Sequence, residues 1–455
     1  MNTKTTPQPG PRGQALAAYI AGTFERRFPP EVLEAARRAL VDFVAVAVGA
    51  CDDAPVKPVR ETIRQWNASG KARVFLGGRT TPALAVLANG TMAHAMDYDD
   101  THPGGAGHPS GPCWSTALAL TEESGYREQD AMAAFITGYE VMAKLGGGFA
   151  PGVGRSLQRK GFHPTSMFGR AGSAAVACAL MRLDKHRIYH ALANTATTAG
   201  GLLGSFGTHG KPFHAGKAAM DGILAAQMGA AGYIGGTQLF ELERGLLDAF
   251  IQDRKVEVPR LDFENWEILT NGFKLFASCR ATHASTQAAR SLAQAIGGRK
   301  VSRVHAKVHP NALVTAGRTD PRTPLEGKFS VPFCISMALT GHRVVYSDFV
   351  DEAMRNAAVM DIVPKVTLEA VEGQAPHSAH LDVYLEDGTH LHADTDIVRG
   401  HPDNPLSWDE IRGKFLGLVE PKLGKPRTEA LFDAARAFGA PGSMARLSTL
   451  LEGDR

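Results

Sequence analysis

One pattern fills the first 250 residues and restricts the fold most: apolar residues recur at three- and four-residue intervals, the spacing of an α-helix. Glycine or proline separates the segments, and several are rich in alanine and glycine on most faces. Because small residues let helix backbones approach closely, we predict central helices of a tight bundle. The predicted helices are VLEAARRALVDFVAVAVGA, ALAVLANGTMAHAMDY, STALALTEESG, AMAAFITGYEVMAKLGGG, MFGRAGSAAVACALMRL, HRIYHALANTATTAGGLLGSF and AAMDGILAAQMGAAGYI.

A different pattern begins after Asn271. Three segments alternate apolar and polar residues with period two, which predicts β-strands, and Glu386-Asp387-Gly388 predicts a hairpin turn. These segments are SRVHAKVHP, PKVTLEAV and SAHLDVYLEDGTHLHADTDI. Helical patterns lie among them in THASTQAARSLAQAI, VPFCISMALTG and SDFVDEAMRN, and the tail returns to helix in SWDEIRGKFLGLV and EALFDAARAF.

The sequence therefore predicts a mainly α fold, with a large all-helical domain plus a smaller α+β lid domain. We expect a flexible N-terminal arm over residues 1–14 and a helical domain over 15–270, with 403–455 packing back on it. The α+β lid is expected over 271–402. A chain of 455 residues is too long for one simple core, which agrees with two domains.

Composition excludes several classes of partner. A net charge of +3 gives no reason to expect a nucleic acid. The five cysteines are scattered without a CxxC spacing, so neither a disulfide framework nor a zinc site is predicted. The N-terminal segment lacks the apolar core of a signal peptide, and no apolar run reaches the roughly 20 residues that span a bilayer. We expect a cytoplasmic protein without a membrane partner.

Two histidines share a motif that suggests acid–base chemistry. His108 and His163 each precede proline and then serine or threonine, before a helix of small residues. Proline favours the first helical position, so both histidines should lie at or beside an N-cap, where the helix dipole attracts an anion. The same field keeps an imidazole neutral and able to act as a base. Alternatively, His-Pro only starts a helix, since His102, His309 and His401 also precede proline.

An acidic cluster close to His108 has three interpretations. It could bind a divalent metal, cap a helix and form salt bridges, or orient a catalytic histidine and fix its tautomer. We favour the last two, with Asp97 or Asp100 as the orienting carboxylate, and expect no metal. The charged and imidazole residues in this segment are His94, Asp97, Asp99, Asp100, His102 and His108.

Basic residues in small or apolar surroundings suggest an anionic substrate. Lys211 precedes an alanine-rich helix, and Lys274 and Arg280 lie at the junction of the two predicted domains, where substrate clefts are common. Arg280 could bind a carboxylate through two parallel hydrogen bonds. We also expect His102 and His283 to contact substrate. The alternative is that these residues are solvated loop charges.

The same segments resemble the ordered motifs of the MmgE/PrpD family, over nearly the whole chain. The matching motifs are NGTMAHAMDYDDTH, GHPSG, GFHPTS, GTHGKPFHAGKAA, NGFKLFASCRATH, PLEGKFSVPF and GHPDNPLS. This family includes 2-methylcitrate dehydratase, cis-aconitate decarboxylase and iminodisuccinate epimerase. The resemblance implies a large helical domain with an α+β lid, a homodimer, and catalysis without a metal or organic cofactor.

The resemblance also implies roles for particular residues. It carries active-site roles of the decarboxylase to His108, His163, Lys211 and Lys274. The decarboxylase has a tyrosine in the block that matches KFSVPF, where this chain has Val331. That difference counts against cis-aconitate decarboxylation. The loop PGGAGHPSG likewise differs from the tryptophan-bearing form of the propionate-pathway dehydratase.

We therefore expect a cofactor-independent lyase that acts on a small di- or tricarboxylate. Lys211, Lys274 and Arg280 would hold carboxylates and stabilise the enolate-like charge, while His163 or His108 would remove or deliver the proton. Dehydration of a hydroxy-polycarboxylate is the leading prediction. The alternatives are an epimerase at a carbon next to a carboxylate, a cis-aconitate-type decarboxylase, a non-catalytic carboxylate binder and a metalloenzyme.

Overall fold

The chain divides into two units of mutually contacting residues in this computed structural model. We call them the helical unit, made of Met1–Ala95, Asp99–Asn271 and Ile411–Arg455, and the α+β unit, made of Met96–Tyr98 and Gly272–Glu410. The structure describes residues 8–105, 107–147, 152–243, 245–252, 258 and 260–453. The mainly helical fold with a small mixed sheet is the predicted fold class.

The alanine- and glycine-rich segments form the helices of the helical unit. Their bounds are α1 Pro11–Ala21, α2 Pro30–Gly49, α3 Val56–Trp66, α4 Pro82–Ala95, α5 Ser110–Ser124, α6 Glu128–Leu145, α7 Val153–Arg159, α8 Pro164–Leu180, α9 Lys185–Thr197, α10 Gly210–Ala230 and α11 Leu246–Ile251. A short antiparallel pair, β1 Ala72–Arg73 and β2 Arg79–Thr80, lies between α3 and α4 and was not predicted. Strands of two residues are too short to show a period.

Helix α10 packs closely against both α4 and α8 in this unit. A Cβ atom on Gly90 of α4 would lie 2.8 Å from the Cα atom of Gly216 in α10. Conversely, a Cβ atom on Gly216 would lie 2.2 Å from the carbonyl oxygen of Leu87. A larger side chain at either glycine would collide with the neighbouring helix. The small residues on these helix faces therefore allow the close packing of α4 and α10.

The period-two segments form a four-stranded sheet in the α+β unit, with strand order β4-β3-β5-β6. The strands are β3 Val301–Val308, β4 Val366–Ala370, β5 Ala379–Leu385 and β6 His390–Thr395. β3 pairs in parallel with β4, while β3 with β5 and β5 with β6 are antiparallel. The helices of this unit are α12 His283–Ile296, α13 Pro310–Ala316, α14 Pro324–Gly327, α15 Val331–Leu339 and α16 Ala357–Ile362.

The C-terminal segment forms α17 Trp408–Leu423, α18 Lys425–Arg436 and α19 Ser443–Leu450. The sequence predicted that residues 403–455 pack back on the helical domain. In the structure, the part of this segment that belongs to the helical unit begins at Ile411, after Glu410. Within the helical unit, Lys414 of α17 donates to Asp42 Oδ1 of α2 over 2.6 Å, and both side chains are buried.

Three local predictions were wrong. Residues 11–14 of the predicted arm form the first turn of α1, because Pro11 suits the first helical position, while residues 1–7 lie outside the described part. The segment SDFVDEAMRN forms two 3₁₀ turns, Tyr346–Asp348 and Ala353–Arg355, because Asp348 accepts a hydrogen bond from the backbone N–H of Val345. The helix predicted over HRIYHALANTATTAGGLLGSF ends at Thr197, shortly before two glycines.

Among the described helices, none has the length and apolar character that crossing a membrane requires.

Candidate active site

A buried carboxylate lies between two histidines in the helical unit. His94 Nδ1 is 2.8 Å from Asp99 Oδ2, and His108 Nδ1 is 3.3 Å from Asp99 Oδ1. The ring centroids of the two histidines are 4.5 Å apart. His94 and Asp99 are 1% exposed, so this contact is shielded from water. The arrangement fits a carboxylate that orients imidazoles.

The local chain geometry explains how His108 reaches this position. His94 lies in the last turn of α4, while His108 lies two residues before α5, which begins at Ser110. The His108 backbone N–H donates to Thr165 Oγ1 of α8 over 3.1 Å. Gly107 has φ of +90°, and a Cβ atom there would lie 2.4 Å from Thr165 Oγ1. Glycine is therefore required where the two His-Pro segments meet.

Hydrogen bonds fix which nitrogen of each imidazole carries the proton. His108 Nδ1 lies 2.7 Å from the carbonyl oxygen of Asp100, an atom that can only accept a hydrogen bond. His108 therefore donates through Nδ1 and keeps its lone pair on Nε2. His94 Nδ1 faces the Asp99 carboxylate in the same way, and among the described residues His94 Nε2 has no hydrogen-bond partner. Both imidazoles thus present a basic nitrogen.

His163 joins the same cluster from the N-terminus of α8. As predicted, it occupies the N-cap position, with Pro164 at the first helical position. Its ring centroid is 5.5 Å from that of His94, and the two rings are nearly parallel. His163 Nδ1 is 3.0 Å from Nδ1 of His214 in α10. His94 therefore lies within 5.5 Å of both predicted catalytic histidines.

Burial sets the charge state of this cluster. It is the largest cause that lowers the pKa of His94 to about 4, which the Asp99 charge opposes and the Lys211 charge reinforces. Burial likewise lowers the pKa of His163 well below its usual value, with further contributions from His94 and Lys211. The pKa of His214 falls to about 4 for the same main reason. These three imidazoles are neutral at pH 7.

Asp99 is the ionised partner in the cluster. Burial alone would raise the pKa of Asp99, but the charges and hydrogen bonds of His108 and His94 outweigh it and hold that pKa well below the usual range. A deprotonated Asp99 accepts from His94 Nδ1 through Oδ2, while its Oδ1 faces His108 Nδ1 at 3.3 Å. In the neutral form of His94 the lone pair is then on Nε2.

Lys211 supplies the positive charge in this neighbourhood. It lies in the first turn of α10, is 4% exposed, and its Nζ is 4.8 Å from the ring centroid of Phe206. His163 packs edge-on against the same Phe206 ring at 5.0 Å. A buried ammonium beside neutral imidazoles favours an anionic ligand. The prediction of Lys211 as a substrate ligand remains open to test.

Asp100 has a different environment from the one that the sequence suggested. Its carboxylate accepts from Ser110 Oγ over 2.6 Å and from Asn271 Nδ2 over 2.8 Å, and so caps the start of α5. Burial raises the pKa of Asp100 to about 7, against the Ser110 hydrogen bond. Its backbone carbonyl orients His108, whereas its side chain does not contact a histidine in the described structure.

His102 is held in a separate buried network of the helical unit. Its Nε2 is 3.0 Å from Glu267 Oε2, and Lys144 Nζ is 2.9 Å from the other oxygen of that carboxylate. These contacts are typical of a structural ion pair. The predicted contact between His102 and substrate is not tested by them.

Lys274 and Asp97 form a buried pair in the α+β unit. Lys274 Nζ lies 2.7 Å from both Oδ1 and the carbonyl oxygen of Asp97, and the side chains are 1% and 4% exposed. Asp97 has φ of +52°, which turns the chain sharply before Asp99. The structure therefore brings two of the predicted catalytic residues together, in contact with each other.

Arg280 and His283 are also neighbours in the α+β unit. Arg280 Nη1 is 3.5 Å from His283 Nδ1, and His283 Nε2 donates to the carbonyl oxygen of Ser278 over 3.2 Å. Burial lowers the pKa of Arg280 to about 10, and it lowers that of His283 well below its usual value with a further contribution from Arg280. Both stay predicted substrate ligands.

An alternative interpretation is that the histidine–carboxylate cluster binds a metal ion. The donor atoms of His94, Asp99 and His108 lie within 4.8 Å of one another, and these are ligand types that transition metals accept. However, His108 Nδ1 is committed to a backbone carbonyl, and the Lys211 charge opposes a second cation near His94. The tautomers and the nearby positive charge are features that acid–base chemistry would use.

Sequence reasoning did not select three residues of this cluster. His94, Asp99 and His214 stand in the quoted motifs, but only the structure shows that they contact the predicted residues. One signal was available: His214 follows Lys211 by three residues, so a helix would place both on one face.

Comparison with known proteins identifies the family. The profile of the MmgE/PrpD N-terminal domain matches residues 14–259, and that of the C-terminal domain matches residues 276–437. This chain belongs to the MmgE/PrpD family. The cis-aconitate decarboxylase of Mus musculus is 24% identical over 97% of this chain and 93% of its own length. That of Homo sapiens is 28% identical over 82% and 80%. A cis-aconitate decarboxylase-like protein of Aspergillus oryzae is 22% identical over 99% of both chains.

In this MmgE/PrpD member, Val331 is fully buried at the first position of α15. It therefore offers no hydroxyl at the position where the resemblance places a tyrosine in the decarboxylase.

Asp99→Asn should lower kcat by about 10- to 100-fold, because an amide can donate to Nδ1 of His94 and favour its wrong tautomer, and because the charge that faces His108 is lost. Asp100→Asn is the matched control, since its backbone carbonyl and its capping oxygen remain. We expect the control to keep kcat within about threefold. A larger loss in Asp100→Asn than in Asp99→Asn would return the orienting role to Asp100. Steady-state kinetics of both variants decide this.

Proposed function

We propose that this MmgE/PrpD protein is a lyase that removes a proton from the carbon next to a carboxylate of a small di- or tricarboxylate. The observation that carries the proposal is the buried cluster in which Asp99 accepts from Nδ1 of His94 and the Asp100 carbonyl oxygen accepts from Nδ1 of His108, so that each neutral imidazole has its lone pair on Nε2. Base chemistry needs such a nitrogen near neutral pH. Lys211 nearby favours an anionic substrate.

The proposed reaction starts when a neutral imidazole accepts the α-proton. Negative charge then spreads onto the neighbouring carboxylate, and Lys211 stabilises it because the ammonium is buried and already oriented. In dehydration, the abstracted proton passes from this imidazole to a second group of the cluster and from there to the β-hydroxyl, which leaves as water while a carbon–carbon double bond forms. We propose His163 and His108 as these two groups, with Asp99 positioning His108.

Decarboxylation is a further candidate, because the named relatives are cis-aconitate decarboxylases. Loss of carbon dioxide leaves a carbanion that must take up a proton, so that reaction needs an acid at the reacting carbon. The lowered pKa values of His94 and His163 favour a proton acceptor. Elimination and epimerisation both start with proton removal, and we therefore place dehydration first and epimerisation next.

One experiment separates these reactions. Di- and tricarboxylates, with and without a hydroxyl, are incubated with the enzyme in deuterated water and followed by NMR. Dehydration predicts an olefinic product from a hydroxy acid. Epimerisation predicts deuterium at the α-carbon without elimination, and decarboxylation predicts carbon dioxide and one carboxylate fewer. Binding without exchange or product from any acid would contradict the proposal and indicate a carboxylate-binding protein.

The pH profile should report the lowered pKa values. Because His94 has a pKa of about 4 and His163 is also lowered, the basic form persists as pH falls and is lost only when pH passes through those values. We expect kcat/KM to stay level between about pH 5.5 and 7.5 and to fall below about pH 5. An acid limb centred near pH 6.5 would show that the essential base is a histidine with an ordinary pKa.

We further propose that catalysis needs no metal or organic cofactor and that the enzyme is a homodimer. Both proposals follow from the family resemblance. Turnover that survives dialysis against EDTA would support the first, and loss of turnover with recovery on adding one divalent metal would overturn it. Light scattering coupled to size exclusion tests the second, and a mass of one chain would contradict it.

A further inference from the structure

Four cationic or imidazole side chains gather in the α+β unit, outside the helical-unit cluster. Arg280 and His283 lie at the start of α12, His377 lies two residues before β5, and His401 follows β6. The ring centroids of His377 and His401 are 4.4 Å apart. We call this set the Arg280 cluster; its members are Arg280, His283, His377 and His401.

A small apolar core holds these segments together. Ala284 of α12, Ala379 of β5 and Val398 form one buried cluster, and each is at most 5% exposed. Each of these residues is within four positions of a member of the Arg280 cluster along the chain. Packing of the three therefore fixes the neighbouring polar side chains on a common framework.

Hydrogen bonds reinforce the framework. The N–H of Val398 donates to the carbonyl oxygen of His377 over 3.1 Å, and the N–H of His401 donates to that of Val398 over 3.1 Å. The N–H of Arg399 donates to Gln287 Oε1 of α12 over 2.8 Å. The site is thus built on ordered chain and does not depend on a single loop.

The cluster holds a positive charge without a matching carboxylate. In the described part of the chain, no Asp or Glu oxygen lies within 4.0 Å of the Arg280 guanidinium, and Arg280 Nη1 contacts His283 Nδ1 at 3.5 Å. Asp403 is the acidic residue closest to the imidazoles, 3.4 Å from His401 Nδ1, and its side chain is 71% exposed. An incompletely hydrated guanidinium without a counter-ion is unfavourable, and a bound anion would relieve it.

The imidazoles are suited to donate to an anion without adding charge. Burial is the largest cause that lowers the pKa of His283, His377 and His401, and the positive charge of Arg280 lowers all three further. At pH 7 each is therefore neutral and has one N–H group. The N–H of His283 donates to the Ser278 carbonyl oxygen, so His377 and His401 are the imidazoles that can donate to an anion. An arginine with flanking neutral N–H donors matches a planar, doubly accepting group.

We propose that the Arg280 cluster binds a carboxylate group, with Arg280 as the principal ligand and His377 and His401 as auxiliary donors. The carboxylate belongs either to the acid on which the enzyme acts or to a separate small carboxylic acid that regulates it. Binding at this site does not require that the proposed lyase chemistry is correct.

Isothermal titration of the full-length protein with propane-1,2,3-tricarboxylate tests the site directly. Arg280→Gln should weaken binding about 10- to 100-fold, the usual effect of losing a charge-assisted pair of hydrogen bonds. His377→Gln with His401→Gln should weaken it less, by about three- to tenfold. Arg290→Gln is the matched control, because Arg290 lies on α12, is exposed and packs on Phe276 outside the cluster. It should bind within about twofold of the wild type.

Thermal stability separates a ligand site from a structural arginine. Because no carboxylate among the described residues pairs with Arg280, Arg280→Gln should melt at or above the wild-type temperature in the absence of ligand. Unchanged affinity in Arg280→Gln, or an equal loss in Arg290→Gln, would overturn the proposal. A melting temperature lowered by more than about 5 °C in Arg280→Gln would also overturn it.

Kinetics then identify the source of the carboxylate. Competition between propane-1,2,3-tricarboxylate and the substrate, with a raised KM in Arg280→Gln, assigns the site to the substrate. A change in kcat without competition, lost in Arg280→Gln at unchanged KM, assigns it to a regulatory acid. Because the titration requires no turnover, absence of lyase activity would leave the binding result intact and would count against the proposed function alone.

Discussion

Replacing His163 with alanine should lower kcat by about 10²- to 10⁴-fold, the range expected when a positioned acid–base group is removed. His163 is 2% exposed, stacks 5.5 Å from His94 and shares a 3.0 Å contact with His214. Its pKa lies well below the usual value, so it is a neutral imidazole at pH 7. The measurement is kcat for the best substrate of the acid panel, at pH 7.

His190→Ala is the matched control for this experiment. His190 is 1% exposed and also lies in the helical unit, where it contacts His186 and accepts from the backbone N–H of Gly235. Truncating it creates a comparable cavity without touching the histidine–carboxylate cluster. We expect kcat within about threefold of the wild type. Near-normal turnover in His163→Ala would remove His163 from the mechanism, and equal losses in both variants would indicate a folding defect.

The sequence predicted the local structure around the candidate site because the local rules were sufficient there. Proline after His163 fixes the first turn of α8, so the N-cap position follows from the dipeptide alone. The period-two segments likewise predicted the strands β3, β4, β5 and β6, because each side of the sheet has a different environment. The N-cap position and the strands both depend on residues that are close together in the sequence.

Choosing among the three aspartates required tertiary information. The left-handed conformation of Asp97 changes the direction of the chain, so that Asp99 faces His94 and Asp100 faces Ser110. A residue other than glycine adopts that conformation rarely, and no sequence rule predicts it at Asp97. The contact between His163 and His214 depends in turn on how α8 packs on α10, which helical periodicity does not specify.

Replacing Lys274 with methionine should destabilise the protein by about 3–5 kcal/mol, the usual cost of leaving one member of a buried ion pair without its partner. Lys274 Nζ is 2.7 Å from Asp97 Oδ1, and the two side chains are 1% and 4% exposed. The same ammonium donates to the Asp97 carbonyl oxygen, so it also stabilises a backbone turn with φ of +52°. Urea unfolding followed by circular dichroism measures the change.

Two further variants decide what the pair contributes. Lys365→Met removes a more exposed ion pair with Asp361 in the same unit and should cost less than about 1 kcal/mol. In Lys274→Met with Asp97→Asn, the unpaired charge is gone, so the loss should be smaller than the sum of the single losses. If Lys274→Met instead keeps its stability and loses turnover, the lysine acts on substrate and the ion pair is secondary. If Lys274→Met loses both stability and turnover, the double variant separates the two roles. Recovered stability without recovered turnover in the double variant would show that Lys274 has a catalytic role besides its structural one.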